Sequence, residues 1–187
     1  MNFSGKPAPT KTEAVVSAQD GAPKQVVYAE SENVIPWTTE RKLDWNDFLC
    51  EPKKEGDAVA STSTSLGLSY QVRDNQLTFH ITCDFAKDKS WGALRTDYIL
   101  SHEQAHFDIT EVHARKLYQA LYEYEFNPLT FKNDIAAIYN QIVKEKEAMQ
   151  EGYDGETDHS RNKTVQAQWL ERINGLLDET DIFSNYP

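Results

Sequence analysis

His102-Glu103-Gln104-Ala105-His106 is an uninterrupted H-E-x-x-H. On an α-helix, residues four apart lie one turn apart and roughly 40° out of line, so both imidazoles reach one metal ion. Glu103 falls beside them, where a carboxylate takes a proton from a water activated by the metal, as a zinc peptidase requires. Tyr98, Ile99, His102, Ala105, His106, Ile109 and Val112 share a helical face, and no Pro or Gly lies between Ala93 and Phe126. A helix over about 93–126 is therefore expected, with both histidines turned toward the protein. The plain alternative is a pair of hydrogen-bonded core histidines. Burying two imidazoles beside a Glu without a ligand leaves several polar atoms to satisfy, so the pattern favours metal.

Upstream of this helix the sequence is β-rich. Ser65–Val72 and Gln76–Phe85 read as strands joined by the turn signal Asp74-Asn75. In the second, Leu77, Phe79, Ile81 and Cys83 alternate with Thr78, His80, Thr82 and Asp84, which suits an antiparallel hairpin covered on one face. Val34–Thr38 also looks extended, and Leu43, Trp45 and Phe48 look like anchors around a turn. Residues 1–32 are rich in Lys, Ala, Pro, Ser, Thr and Gln with little periodicity, and read as a mobile tail or tether ahead of one domain spanning 33–187.

Downstream, Asn127-Pro128 stops the motif helix and starts a second, reaching about Glu151, with Phe131, Ile135, Ile138, Ile142 and Met149 along one stripe. Residues 152–160 read as a polar loop. A third helix, about 161–178, places Val165, Trp169, Ile173 and Leu176 at core spacing. Strands first and helices after give an α+β fold: an N-terminal antiparallel sheet, the motif helix and two further helices.

The chain has 187 residues, enough for one domain with a real core. A net charge of −11, with no Lys/Arg block interleaved with aromatics, opposes a nucleic-acid surface. No apolar run approaches membrane-spanning length. The N-terminus lacks the apolar stretch of a signal peptide. Cys50 and Cys83 form no CxxC; they are either buried thiols or one disulfide. Oligomeric state is not legible.

A hydrolytic zinc site usually has three protein ligands and an open fourth position. Asp108 and Glu111 turn away from His106 on the same helix, and Glu111 is better placed for an ion pair with Arg115. His113 lies roughly 10 Å along the axis from His106, with no Gly to turn the chain back. His159 is the preferred third ligand, since a loop between two helices can fold over the first and approach from a separate direction. Asp154 and Asp158 are either orienters of imidazoles or capping residues. Tyr153 is a candidate donor to a developing oxyanion, against the commoner case of a packed Tyr. His80 is expected to be exposed.

Leu100–Glu111, Ala114-Arg115, Tyr153-Asp154 with Thr157 and His159, and Gln168-Trp169 together resemble a bacterial family, DUF922, described as predicted secreted zinc-dependent proteases. Trp45-Asn46-Asp47-Phe48 and residues 85–91 are similar too, so the resemblance covers about 36–177. The family usually has Gly after the loop histidine, where this chain has Ser160. The resemblance implies a zincin-like metallopeptidase, generally exported, hence a periplasmic or envelope-associated location.

These readings converge on a zinc metallopeptidase acting on a peptide or protein. His102, His106 and His159 hold Zn²⁺, Glu103 is the general base, and a substrate strand pairs with an edge of the sheet formed by residues 65–85. The alternative is a non-catalytic zincin-like binding module at the cell envelope. Retention of Glu103 separates the two, because a purely structural zinc site does not need that carboxylate.

Overall fold

The structure, a computed structural model, describes residues 32–52 and 58–187. The proposed tail at 1–32 lies almost wholly outside the described residues. Three strands form the main antiparallel sheet: β1 (Val34–Pro36), β3 (Thr64–Arg73) and β4 (Gln76–Ala86), in the order β1-β4-β3. The hairpin registers Thr64 with Phe85 and Arg73 with Gln76. Asp74 and Asn75 turn it at φ of 50° and 61°, a left-handed pair that Asp and Asn tolerate and that matches strand twist. The alternation read from the sequence holds: Ile81, Cys83 and Phe85 are buried, and the rows between them are more open.

A second, two-stranded ribbon pairs β2 (Ala60–Ser61) with β5 (Trp91–Gly92). A Cβ on Gly92 would run into the Trp45 indole, so glycine lets that ring seat directly on the ribbon. The ribbon also corrects the start of the motif helix. The N–H groups of Ala93 and Leu94 donate to the Val59 carbonyl, and Thr96 caps the helix by accepting from the Ile99 N–H. Helix α1 therefore runs Asp97–Tyr122, shorter at both ends than the breaker-free stretch.

Helix α2 spans Phe131–Thr157, six residues beyond the expected end at Glu151. Two glycines, Gly152 and Gly155, cost about 1 kcal/mol each in a helix interior. Burial of Tyr153 and Thr157 between the helices outweighs that cost, and Trp169 packs against Gly152. The expected polar loop 152–160 is thus mostly helix. Helix α3 is Lys163–Glu179, capped by Asn162 on the Val165 N–H.

One face of β3 and β4 packs on α1 around Leu66, Ile81, Phe85, Phe107 and Leu117. A second cluster of Ala105, Ile109, Tyr153, Trp169 and Ile173 joins α1 to α2 and α3. The fold is α+β, with an antiparallel sheet followed by three helices. Cys50 and Cys83 are free thiols, which removes the disulfide alternative. Burial pushes the Cys83 thiol well above its ordinary pKa. Among the described residues no helix is long and apolar enough to cross a membrane.

Candidate metal centre

Helix α1 presents His102 and His106 one turn apart, with ring centroids 4.9 Å from each other. Helix α2 faces them with Gln150 and Asp154, also one turn apart. Asp154 Oδ1 lies 3.1 Å from His102 Nε2 and 3.0 Å from His106 Nε2. Potential ligand atoms of these three residues all fall within 4.8 Å of one another. Two ligand atoms at 2.0–2.1 Å from a tetrahedral zinc lie about 3.3 Å apart, so the observed spacings are close to those of a shared ion. The donor set, two imidazoles and a carboxylate, is one that zinc accepts.

The electrostatics fit the packing. Burial works to raise the Asp154 pKa, but hydrogen bonds from His102 and His106 outweigh it and hold the carboxyl well below the usual range. For His106, burial alone would lower the pKa. The hydrogen bond and charge of Asp154, the charge of Glu103 and the contact with Gln150 raise it above the ordinary value instead. Glu103 is only 4 % exposed. Burial lifts its carboxyl above the ordinary value, against the downward pull of His106, the Thr62 hydroxyl and His102. The order of these causes means that the site keeps a shielded carboxyl next to two imidazoles.

The third position differs from the sequence-based choice. Asp154, weighed as an orienter or a cap, joins the two helix histidines because α2 continues through it. His159 stands at the rim: its side chain is 61 % exposed and its Nδ1 is 3.9 Å from Asp154 Oδ1. It follows the end of α2 in three successive left-handed residues, Asp158, His159 and Ser160, at φ of 49°, 50° and 71°. Ser160 thus adopts a left-handed conformation that glycine takes most readily. Thr157 Oγ supports this turn by donating to the Tyr153 carbonyl, and Tyr98 donates to the Ser160 carbonyl at 2.8 Å.

Tyr153 lies beneath the imidazoles instead of facing the open side. It is fully buried, stacks on His102 at 4.5 Å and meets His106 edge-on at 5.1 Å. Burial, and then the charges of Glu103 and Asp154, push its hydroxyl pKa far up, so it stays protonated. Its ring walls the imidazoles, and its hydroxyl, the candidate donor to a developing oxyanion, is buried without a hydrogen-bond partner among the described residues. The remaining helix residues fall where geometry demanded. Arg115 Nε donates to Glu111 Oε1 at 2.8 Å. Asp108 accepts from the Trp37 indole and from Gln104. His113, two turns beyond His106, lies outside the group, with Nδ1 2.8 Å from the Ile109 carbonyl. His80 Nε2 is buried, contrary to its expected exposure.

Gln150 was not singled out from the sequence. Its signal was the i, i+4 pairing with Asp154 on a polar strip of α2, visible only once the helix is carried past Gly152. A bacterial family of proteins of unknown function, DUF922, matches residues 23–160 through its family model, and the chain belongs to that family. No curated protein and no solved structure matches the chain.

Proposed function

We propose that this protein is a zinc-dependent metallopeptidase with a zincin-like arrangement of its H-E-x-x-H helix. One observation carries the reading: His102 and His106 converge through Nε2 on a single oxygen of Asp154, with buried Glu103 in electrostatic contact with all three. His102, His106 and Asp154 would hold the ion. Bound zinc would polarise a carbonyl and acidify a water at this position. Glu103 would accept the proton from that water and return it to the leaving amine; its raised pKa brings it nearer to working pH, which suits a general base. His102 and Glu103 are buried while Asp154 and His159 are more open, so a substrate approaches from the α2 side of the centre. Thr62, in the short connection between β2 and β3, places its side chain beside Glu103, so a peptide strand would align along this side of the centre. Export to the periplasm or envelope, implied by the family resemblance, belongs to the same proposal.

The test pairs metal content with hydrolysis. Purified protein should hold about one zinc per chain and cleave an unstructured protein. Glu103→Gln should keep the zinc and lose at least about 10²-fold in turnover, the low end for general-base catalysis. Equal turnover in the two proteins would remove Glu103 from the mechanism. Zinc bound without turnover in the wild type would put the binding-module reading ahead.

A further inference from the structure

The amide of Gln150 makes three contacts with the H-E-x-x-H helix, and they fix which way it points. Its Nε2 donates to the His106 carbonyl at 2.8 Å and to Thr110 Oγ1 at 3.3 Å. A backbone carbonyl only accepts, so the NH₂ end must face it. That leaves Gln150 Oε1 against His106 Nδ1. A carbonyl oxygen cannot donate, so the hydrogen of that bond resides on Nδ1. When a metal ion displaces the hydrogen that Nε2 otherwise donates to Asp154, the lone pair of His106 is thereby assigned to Nε2, with the remaining hydrogen on Nδ1. The arrangement continues outward: Thr110, fully buried, donates to the His106 carbonyl at 3.1 Å and lies 2.7 Å from Thr64 Oγ1 on β3. His102 has no such partner, its Nδ1 being buried without a hydrogen bond among the described residues.

We propose that Gln150 is the positioning residue of this centre. It locks His106 in the Nδ1–H tautomer and holds the ring plane so that Nε2 is presented to the metal, with Thr110 and Thr64 bracing the amide from the sheet. The inference rests on the metal reading above, and deepens it by naming the residue that prepares one ligand. Removing a hydrogen-bond partner of this kind typically costs 10- to 100-fold in metal affinity. The two ligands should therefore respond differently to changes around them, since only one is held from behind.

The experiment compares zinc affinity, by chelator competition, in the wild type, Gln150→Met and Gln150→Glu. Met fills nearly the same volume without a polar atom, and Glu restores an acceptor for Nδ1–H. Gln150→Met should bind zinc about 10- to 100-fold more weakly, and Gln150→Glu should recover most of that loss. In zinc-loaded, ¹⁵N-histidine-labelled protein, a slowly exchanging Nδ1 proton should be visible for His106 and lost in Gln150→Met. Melting of the zinc-free forms shows that both variants fold. Unchanged affinity in Gln150→Met, or equal weakening by Met and Glu, would overturn the positioning role and leave the metal reading standing. A wild type that binds no zinc, with or without His102→Ala, would overturn both.

Discussion

Asp154 Oδ1 stands 3.0 Å from His106 Nε2, joining the last turns of α2 to the middle of α1. The same oxygen is 3.1 Å from His102 Nε2. One carboxylate oxygen therefore bridges both imidazoles of the motif. In the metal-free protein it serves as their hydrogen-bond acceptor, and the same convergence is what a shared cation would use.

Asp154→Asn should separate these roles. The amide keeps the shape and an acceptor oxygen but loses the charge that opposes the ion. Zinc affinity should fall by at least about 10²-fold, more than for loss of a neighbour that only orients a ligand. The fold should survive, because the Asp154 side chain is about one-third exposed. Equal affinity in chelator competition would mean that Asp154 is not a ligand.

The motif helix and the hairpin were legible because their signals are local. Alternation along residues 77–84 and the Asp74-Asn75 turn fix a register without outside help. The Glu111–Arg115 pair was legible for the same reason, being set by helical spacing. The end of α2 was not. Gly152 and Gly155 are locally helix-breaking, and only burial of Tyr153 and Thr157 under α1 and α3 carries the helix through them. That one boundary decides the third position. Read as loop, residues 152–160 offer His159; read as helix through Thr157, they set Asp154 one turn beyond Gln150, so that both face α1. Short strands β2 and β5 were missed because each has two residues and no periodicity of its own.

The buried Glu111–Arg115 pair should behave as a unit. Arg115 Nη1 also donates to the Leu177 carbonyl, and Glu111 Oε2 accepts from the Tyr186 hydroxyl at 2.7 Å. Arg115→Met leaves a carboxylate in the core and should cost about 3–5 kcal/mol of unfolding free energy. Glu111→Gln added to it should cost much less than the sum of the two single changes, because no lone charge then remains. Urea denaturation of the four proteins measures the coupling. Strict additivity would show that the pair contributes no mutual interaction.

His113 gives the fold an acid-sensitive element apart from the metal centre. It is 1 % exposed, and burial depresses its pKa below the ordinary 6.5 despite the Ile109 carbonyl; Lys116 and Lys146 also lower it, and Glu145 raises it. Between the depressed value and 6.5 the unfolded chain binds a proton that the folded chain refuses. Stability is therefore full above about pH 6.5 and falls with acid until the folded-state pKa is passed. The slope from this group is at most about 1.4 kcal/mol per pH unit. In zinc-free protein, His113→Gln should flatten the curve of unfolding free energy below pH 6.5 relative to the wild type. Parallel curves would assign the acid sensitivity elsewhere.

His159 decides between the two accounts of the third position. Its ring is mostly in solvent and 3.9 Å from Asp154 Oδ1, so His159→Ala removes little packing and should leave melting within about 0.5 kcal/mol of the wild type. With Asp154 as the ligand from α2, the variant should keep about one zinc per chain and lose less than about tenfold in affinity. With His159 as the ligand, as the loop reading expected, zinc loss should match that of His102→Ala. The left-handed run at 158–160 adds a second measurement. Ser160→Gly relieves the residue at φ 71° and should stabilise the metal-free protein slightly, by about 1 kcal/mol or less. If His159→Ala abolishes zinc binding while Asp154→Asn spares it, the ring must swing inward when metal binds, and the two helix histidines are completed from the turn instead of the helix.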